Sequence, residues 1–177
     1  SEPIIVVGSG PALLSYPSVI SVNGVGTIPT SPTSIKLTIH NAILPRPQDF
    51  GLVLVGPNGA SLLLQNGVGQ ESAINNGVND ATYNIADYGP TRLPPLNSWE
   101  AGTYQPTNYQ NVSFPSPGPG SVFGNPGPLN NGNATFQSVF GGTNADGDWK
   151  LYAGNFHTNE FAGIVQGGWS LTFCAGG

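Results

Sequence analysis

Ile35-Lys36-Leu37-Thr38-Ile39-His40 alternates apolar and polar side chains without a break. A period of two places Ile35, Leu37 and Ile39 on one face of a strand and Lys36, Thr38 and His40 on the other. The next stretch has the same character. Leu52-Val53-Leu54-Val55 runs into Gly56-Pro57-Asn58-Gly59, and Ser61-Leu62-Leu63-Leu64-Gln65 resumes. That is a hairpin whose turn carries an Asn-Gly pair in a loop longer than two residues. Further strands read from Ile4-Ile5-Val6-Val7, closed by Gly8-Ser9-Gly10-Pro11, and from Val19-Ile20-Ser21-Val22, which ends in Asn23-Gly24. Residues 66–82, rich in Gly, Asn and Ser, read as a loop, with a short strand over Thr82–Ala86. Later strand-like runs are Phe136–Phe140, Gly147–Ala153, Ile164-Val165 and Gly168–Phe173, where Trp169, Leu171 and Phe173 alternate with Ser170 and Thr172. No helical stretch of ten residues survives the glycines and prolines. Many short strands separated by Gly, Pro and Asn turns predict an all-β fold, a sandwich of the jelly-roll type.

Residues 89–133 hold many of the prolines, among them Pro115, Pro117, Pro119, Pro126 and Pro128. Each proline lacks the N–H that a ladder needs, so no central strand passes through them. The stretch predicts a long surface excursion. Its aromatic residues Trp99, Tyr104, Tyr109, Phe114 and Phe123 predict that it packs onto the sandwich. Trp99, Tyr104 and Tyr109 also form a candidate platform on which a sugar would stack.

Composition narrows the function. The chain has 177 residues, a single domain's worth. Only 7% are charged, against roughly 25% in ordinary domains, and the formal net charge of −5 is small for this length. Four basic residues, Lys36, Arg46, Arg92 and Lys150, are too few and too scattered for phosphate contacts, which excludes nucleic acid as a partner. No run of 18 apolar residues offers a transmembrane segment. The single cysteine, Cys174, excludes an internal disulfide framework and leaves either an incidental thiol or an intermolecular bridge. A surface of Asn, Gly, Ser and Thr with few charges points to a secreted or cell-surface protein. Ser1-Glu2-Pro3 reads as the start of a processed chain.

Chemistry-bearing residues are sparse. His40 and His157 read as solvent-facing strand and turn residues, with proton transfer as the alternative. No nucleophile-elbow or zinc-protease motif is present, so no enzyme is expected. Asn144, Asp146 and Asp148 set three oxygens about Gly147 and form a candidate calcium site; a plain polar β-turn is the alternative reading. Asp80 and Asp87 form a weaker oxygen pair. No cofactor is required, and calcium is the one cofactor the sequence offers. Asn111-Val112-Ser113 and Asn133-Ala134-Thr135 are N-glycosylation sequons.

From Pro17 to Phe173 the chain resembles the P domain of subtilisin-like proprotein convertases and its bacterial relatives. Residues 17–28 are similar to that family's opening strand pair, and residues 35–64 to its middle. Gly147-Asp148-Trp149-Lys150-Leu151 is similar to its Gly-x-Trp-x-Leu strand, and Gly167–Phe173 to its final strand. The resemblance implies a jelly-roll β-sandwich. Pro47-Gln48-Asp49 keeps only the Asp of the family's Gly-Asp, and the Pro-rich stretch 113–132 is longer than in the family.

Residues 1–16 lie outside the resemblance and form an extension to a sandwich over 17–177. Ile4, Ile5, Val6 and Val7 are apolar on both faces of a strand, which suits burial on both sides. The strand is either the first of its own sandwich or one donated to a neighbouring subunit across the Gly8–Pro11 hinge. Full burial of the four side chains is worth about 6–12 kcal/mol before ordering costs. The leading expectation is a non-enzymatic extracellular subunit that self-assembles into a surface filament, a homopolymer linked through residues 3–7. The alternative is a secreted adhesion module that binds a surface carbohydrate or protein, with calcium as a candidate aid.

Overall fold

The computed structural model describes residues 4–6, 10–11, 15–69, 77–156 and 161–174. In chain order the strands are β1 (Ile4–Val6), β2 (Gly10–Pro11), β3 (Ser18–Val22), β4 (Ile35–Leu44), β5 (Phe50–Val55), β6 (Ser61–Asn66) and β7 (Val78–Ala86). They continue with β8 (Thr91–Arg92), β9 (Thr103–Gln105), β10 (Thr107–Asn108), β11 (Gly147–Asn155), β12 (Gly163–Val165) and β13 (Trp169–Phe173). The strands make two sheets that pack as a sandwich, the all-β architecture expected from the turn spacing. One sheet runs β1-β12-β4-β7-β9-β8, with β13 also on β4. The other runs β10-β6-β5-β11-β2, with β3 also on β11.

The alternation over Ile35–His40 decides the inner face of the first sheet. Ile35, Leu37 and Ile39 are fully buried, and Ala42 and Leu44 extend the same face across an irregularity in the β4–β7 register. Asn41 sits at that irregularity with φ of 53°, a conformation Asn tolerates better than other side chains. Across the interior lie Leu52 and Leu54 of β5, Leu62 and Leu64 of β6, and Trp149, Leu151 and Ala153 of β11. Two of the three buried indoles find acceptors: Trp149 Nε1 donates to Ala145 O at 2.8 Å, and Trp169 Nε1 to Ser18 Oγ at 2.9 Å, whereas Trp99 Nε1 is buried without a hydrogen-bond partner among the described residues.

The second sheet is covered on its outer face as well. Val53, Leu63 and Tyr152 point away from the main core and meet Phe114, which is fully buried. Tyr16, Val112, Phe123 and Phe156 pack around them. This satellite core explains why β5 and β6 are apolar at consecutive positions rather than alternating.

Three expectations need correction. Phe136–Phe140, read as a strand-like run, is a single helical turn, α1. Thr135 caps it by accepting from Ser138 N, and the Ser138 hydroxyl accepts in return from Thr135 N. The loop read over 66–82 ends earlier, because β7 begins at Val78. The Pro-rich excursion contains three short strands, β8, β9 and β10, which lie parallel to their neighbours at the outer ends of the sheets. Their brevity fits the prolines between them.

Candidate functional site

The two described pieces of the N-terminal segment, β1 and β2, pair with one strand of each sheet. β1 pairs antiparallel with β12 in the register Ile4↔Val165, Ile5↔Ile164 and Val6↔Gly163. It is the outermost strand of its sheet and also contacts β11 of the opposite sheet. A few residues on, β2 pairs with the end of β11, Pro11 opposite Gly154 and Gly10 opposite Asn155. Proline is tolerated there because β2 needs to donate on one side only. Without β1, β12 would present unpaired N–H and C=O groups, a template for another strand. The backing of that edge is tight. A Cβ on Gly163 would stand 2.8 Å from Ile43 O, so only glycine lets β12 approach β4. Ala162 and Val165 beside it are fully buried. Of the four residues singled out in the extension, Ile4, Ile5 and Val6 form this strand, and Val7 lies outside the described residues.

At the turn over Asn144–Asp148 three side-chain oxygens accept hydrogen bonds. Asp146 Oδ1 accepts from Val25 N at 2.8 Å and Gly26 N at 3.3 Å. Asn144 Oδ1 accepts from Asp146 N at 3.0 Å, and Asp148 Oδ1 from the Ser21 hydroxyl at 2.6 Å, across the β11–β3 pair. These bonds fasten the 23–27 turn to the start of β11. Asp80 and Asp87 flank β7 near its opposite ends and do not meet. Asp80 Oδ1 accepts from Asn41 Nδ2, whereas the Asp87 carboxylate accepts from Phe136 N and Gln137 N, both at 2.8 Å. Burial pushes the Asp87 carboxyl above its ordinary value, against the opposing pull of those two N–H groups. Among the described residues no three His, Cys, Asp or Glu side chains gather as a ligand set.

The aromatic trio faces inward. Trp99 is 5% exposed, and Tyr104 and Tyr109 are half-buried against the main core. Tyr83 lies edge-on to Trp99 and to Tyr104, with centroids 5.6 and 6.4 Å away. The three rings therefore help close one side of the sandwich, with Tyr104 and Tyr109 keeping part of their surface exposed. His40 Nε2 shares a 2.8 Å hydrogen bond with Ser170 Oγ across the β4–β13 ladder. His157 lies outside the described residues. Cys174 is exposed, and its backbone N donates to Ser34 O.

No family model, curated protein or solved structure matches this chain.

One feature escaped the sequence reading. Asn66 Nδ2 donates to Asn108 Oδ1, Asn108 Nδ2 to Asn125 Oδ1, and Asn125 Nδ2 to Leu129 O, at 3.1, 3.1 and 2.8 Å. This relay ties β6 and β10 to the Pro-rich excursion. Lone asparagines in an Asn-rich chain carry no spacing signal that would have revealed it. Both sequon asparagines, Asn111 and Asn133, are exposed, and the Thr135 hydroxyl of the second sequon caps α1. Among the described residues no helix is long and apolar enough to cross a membrane.

Proposed function

We propose that this chain is a non-enzymatic structural subunit that works outside the cell, on the cell surface, and that copies join head to tail by exchange of the N-terminal segment. The position of β1 carries the reading. It is a terminal three-residue strand at the rim of its sheet, laid on an edge whose close backing requires Gly163. A neighbour's residues 4–6 would remake the same ladder in the same register. Exchange of an identical element therefore keeps the contacts and changes only the route of the connecting chain. Such a contact is heterologous, and when the rotation does not close it builds a filament. The composition supports the same reading. At 7% charged residues, copies of the chain repel one another little. The P-domain resemblance belongs to this proposal as the description of the scaffold that displays the strand.

The test is negative-stain electron microscopy of the intact protein beside a variant lacking residues 1–10. Filaments in the first and single particles in the second are expected. Single particles in both would overturn the proposal.

A further inference from the structure

A pocket of about 350 Å³ opens within the Pro-rich excursion, between residues 108–112 and 121–130. No charged side chain lines it. Its polar lining is Asn108, Asn111, Ser121, Asn125 and Asn130, and its apolar wall is Val112, Phe123 and Leu129. Each class of ligand meets this lining differently. An ion would shed water without finding a countercharge, and a hydrocarbon would bury amides that then lack partners. A saccharide matches both halves. Its C–H faces suit the Phe123, Val112 and Leu129 wall. Its hydroxyls donate and accept at once, as an amide side chain does with its NH₂ and C=O.

The inner amides are already aimed. Asn108 and Asn125 sit in the relay that starts at Asn66 and ends on Leu129 O, so their orientation is set before a ligand arrives. Asn125 Oδ1 accepts in addition from Gly127 N at 3.1 Å. The outer amides stand free for a ligand to meet: Asn111 and Asn130 are both exposed. Asn130 has φ of 54°, in the left-handed region that favours Gly and Asn. Phe123 is steadied by Phe114, with centroids 6.0 Å apart and rings near perpendicular.

We infer that this pocket is a subsite for one or two units of a neutral saccharide. Its volume lies at the low end of the range for small-molecule sites, which limits the ligand to a short stretch of chain. The inference stands apart from the filament proposal, because the pocket is remote in sequence from residues 1–10 and uses none of them.

The experiment is an amide-resonance titration by NMR on the full chain, residues 1–177, produced in a host that adds no N-linked glycan. The probes are maltotriose, cellotriose and chitotriose. Saturable shifts at residues 111, 123 and 130 are expected with at least one of them, with Kd near the millimolar level. A variant combining Asn111→Ala with Asn130→Gly removes two amides and keeps the backbone preference at 130. It should weaken binding by about tenfold, the loss of roughly one net hydrogen bond's worth of free energy. Asn79→Ala, an exposed amide on another face, should leave binding unchanged. No saturable shift with any probe, or shifts that map away from the pocket, would overturn the inference. Equal binding by the double variant would overturn it as well. The shift map of the parent chain decides the matter even where a variant folds poorly.

Discussion

Two segments cover the sandwich, and they are held in unlike ways. The Pro-rich excursion places Phe114 in a fully buried site against Val53, Leu63 and Tyr152. It is closed on itself by the mutual bonds of Phe114 and Gly120, and stitched to β6 by Gly124 N on Ser61 O and Leu63 N on Gly124 O. The asparagine relay adds a further fastening from inside. The N-terminal segment is held by two short ladders, β1 on β12 and β2 on β11. Among the described residues, Tyr16 anchors its end: the hydroxyl donates to Pro115 O at 2.8 Å and the ring meets Tyr152 edge-on at 4.9 Å. Burial, followed by the nearby Tyr152, raises that hydroxyl's pKa to about 12, so it stays a donor at any ordinary pH. The contrast sets a cover that is part of the fold against the strand whose exchange between copies we propose.

The largest expected effect tests the first half of that contrast. Phe114→Ala empties the centre of the satellite core and should cost about 3–5 kcal/mol, read by urea denaturation. A loss below about 1 kcal/mol would mean that the excursion merely rests on the sheet. Next comes the acceptor edge. Gly163→Val drives side-chain atoms toward Ile43 O and should cost about 1–3 kcal/mol while abolishing filaments. Filaments of normal length from that variant would break the link between β12 and assembly. The smallest effect concerns Asp87, the cap that joins β7 to α1. Its carboxyl pKa is raised in the folded chain, chiefly by burial. The folded chain then holds a proton that the unfolded chain has released, so this group's contribution falls as pH rises between the ordinary and the raised value. Asp87→Ala should therefore cost more stability on the acid side of that window than on the alkaline side. Thermal melts of both proteins across the window check the sign, and the reverse order would show that the two N–H bonds outweigh burial.

The sandwich was legible where one strand face repeats at a period of two. Ile35, Leu37 and Ile39 were placed by alternation alone, and so was Trp169 of β13. The consecutive apolar residues of β5 and β6 signalled burial on both faces, but nothing local names the segment that supplies the second cover. Phe114 lies about 50 residues beyond Leu63, and contact at that separation has no local signature. α1 escaped because one turn is too short to display a 3.6-residue period, although Thr135 and Ser138 stand at capping-box spacing. The oxygen-rich turn at 144–148 was found, yet its role was open. Hard-cation ligands and turn-capping acceptors use the same side chains, so the residue types alone do not reveal the bonds to Val25, Gly26 and Ser21.

The central claim, that residues 4–6 serve a neighbouring copy, is tested most directly by cross-linking the observed register. Ile5 and Ile164 are direct partners in the β1–β12 ladder. A chain carrying Ile5→Cys and Ile164→Cys, with Cys174→Ser to remove the native thiol, is assembled, oxidised and run on a non-reducing gel. Strand exchange predicts a ladder of covalent oligomers that collapses to one band on reduction. Oxidised protein that runs wholly as an internally bridged single chain would place β1 in its own sandwich and contradict the account.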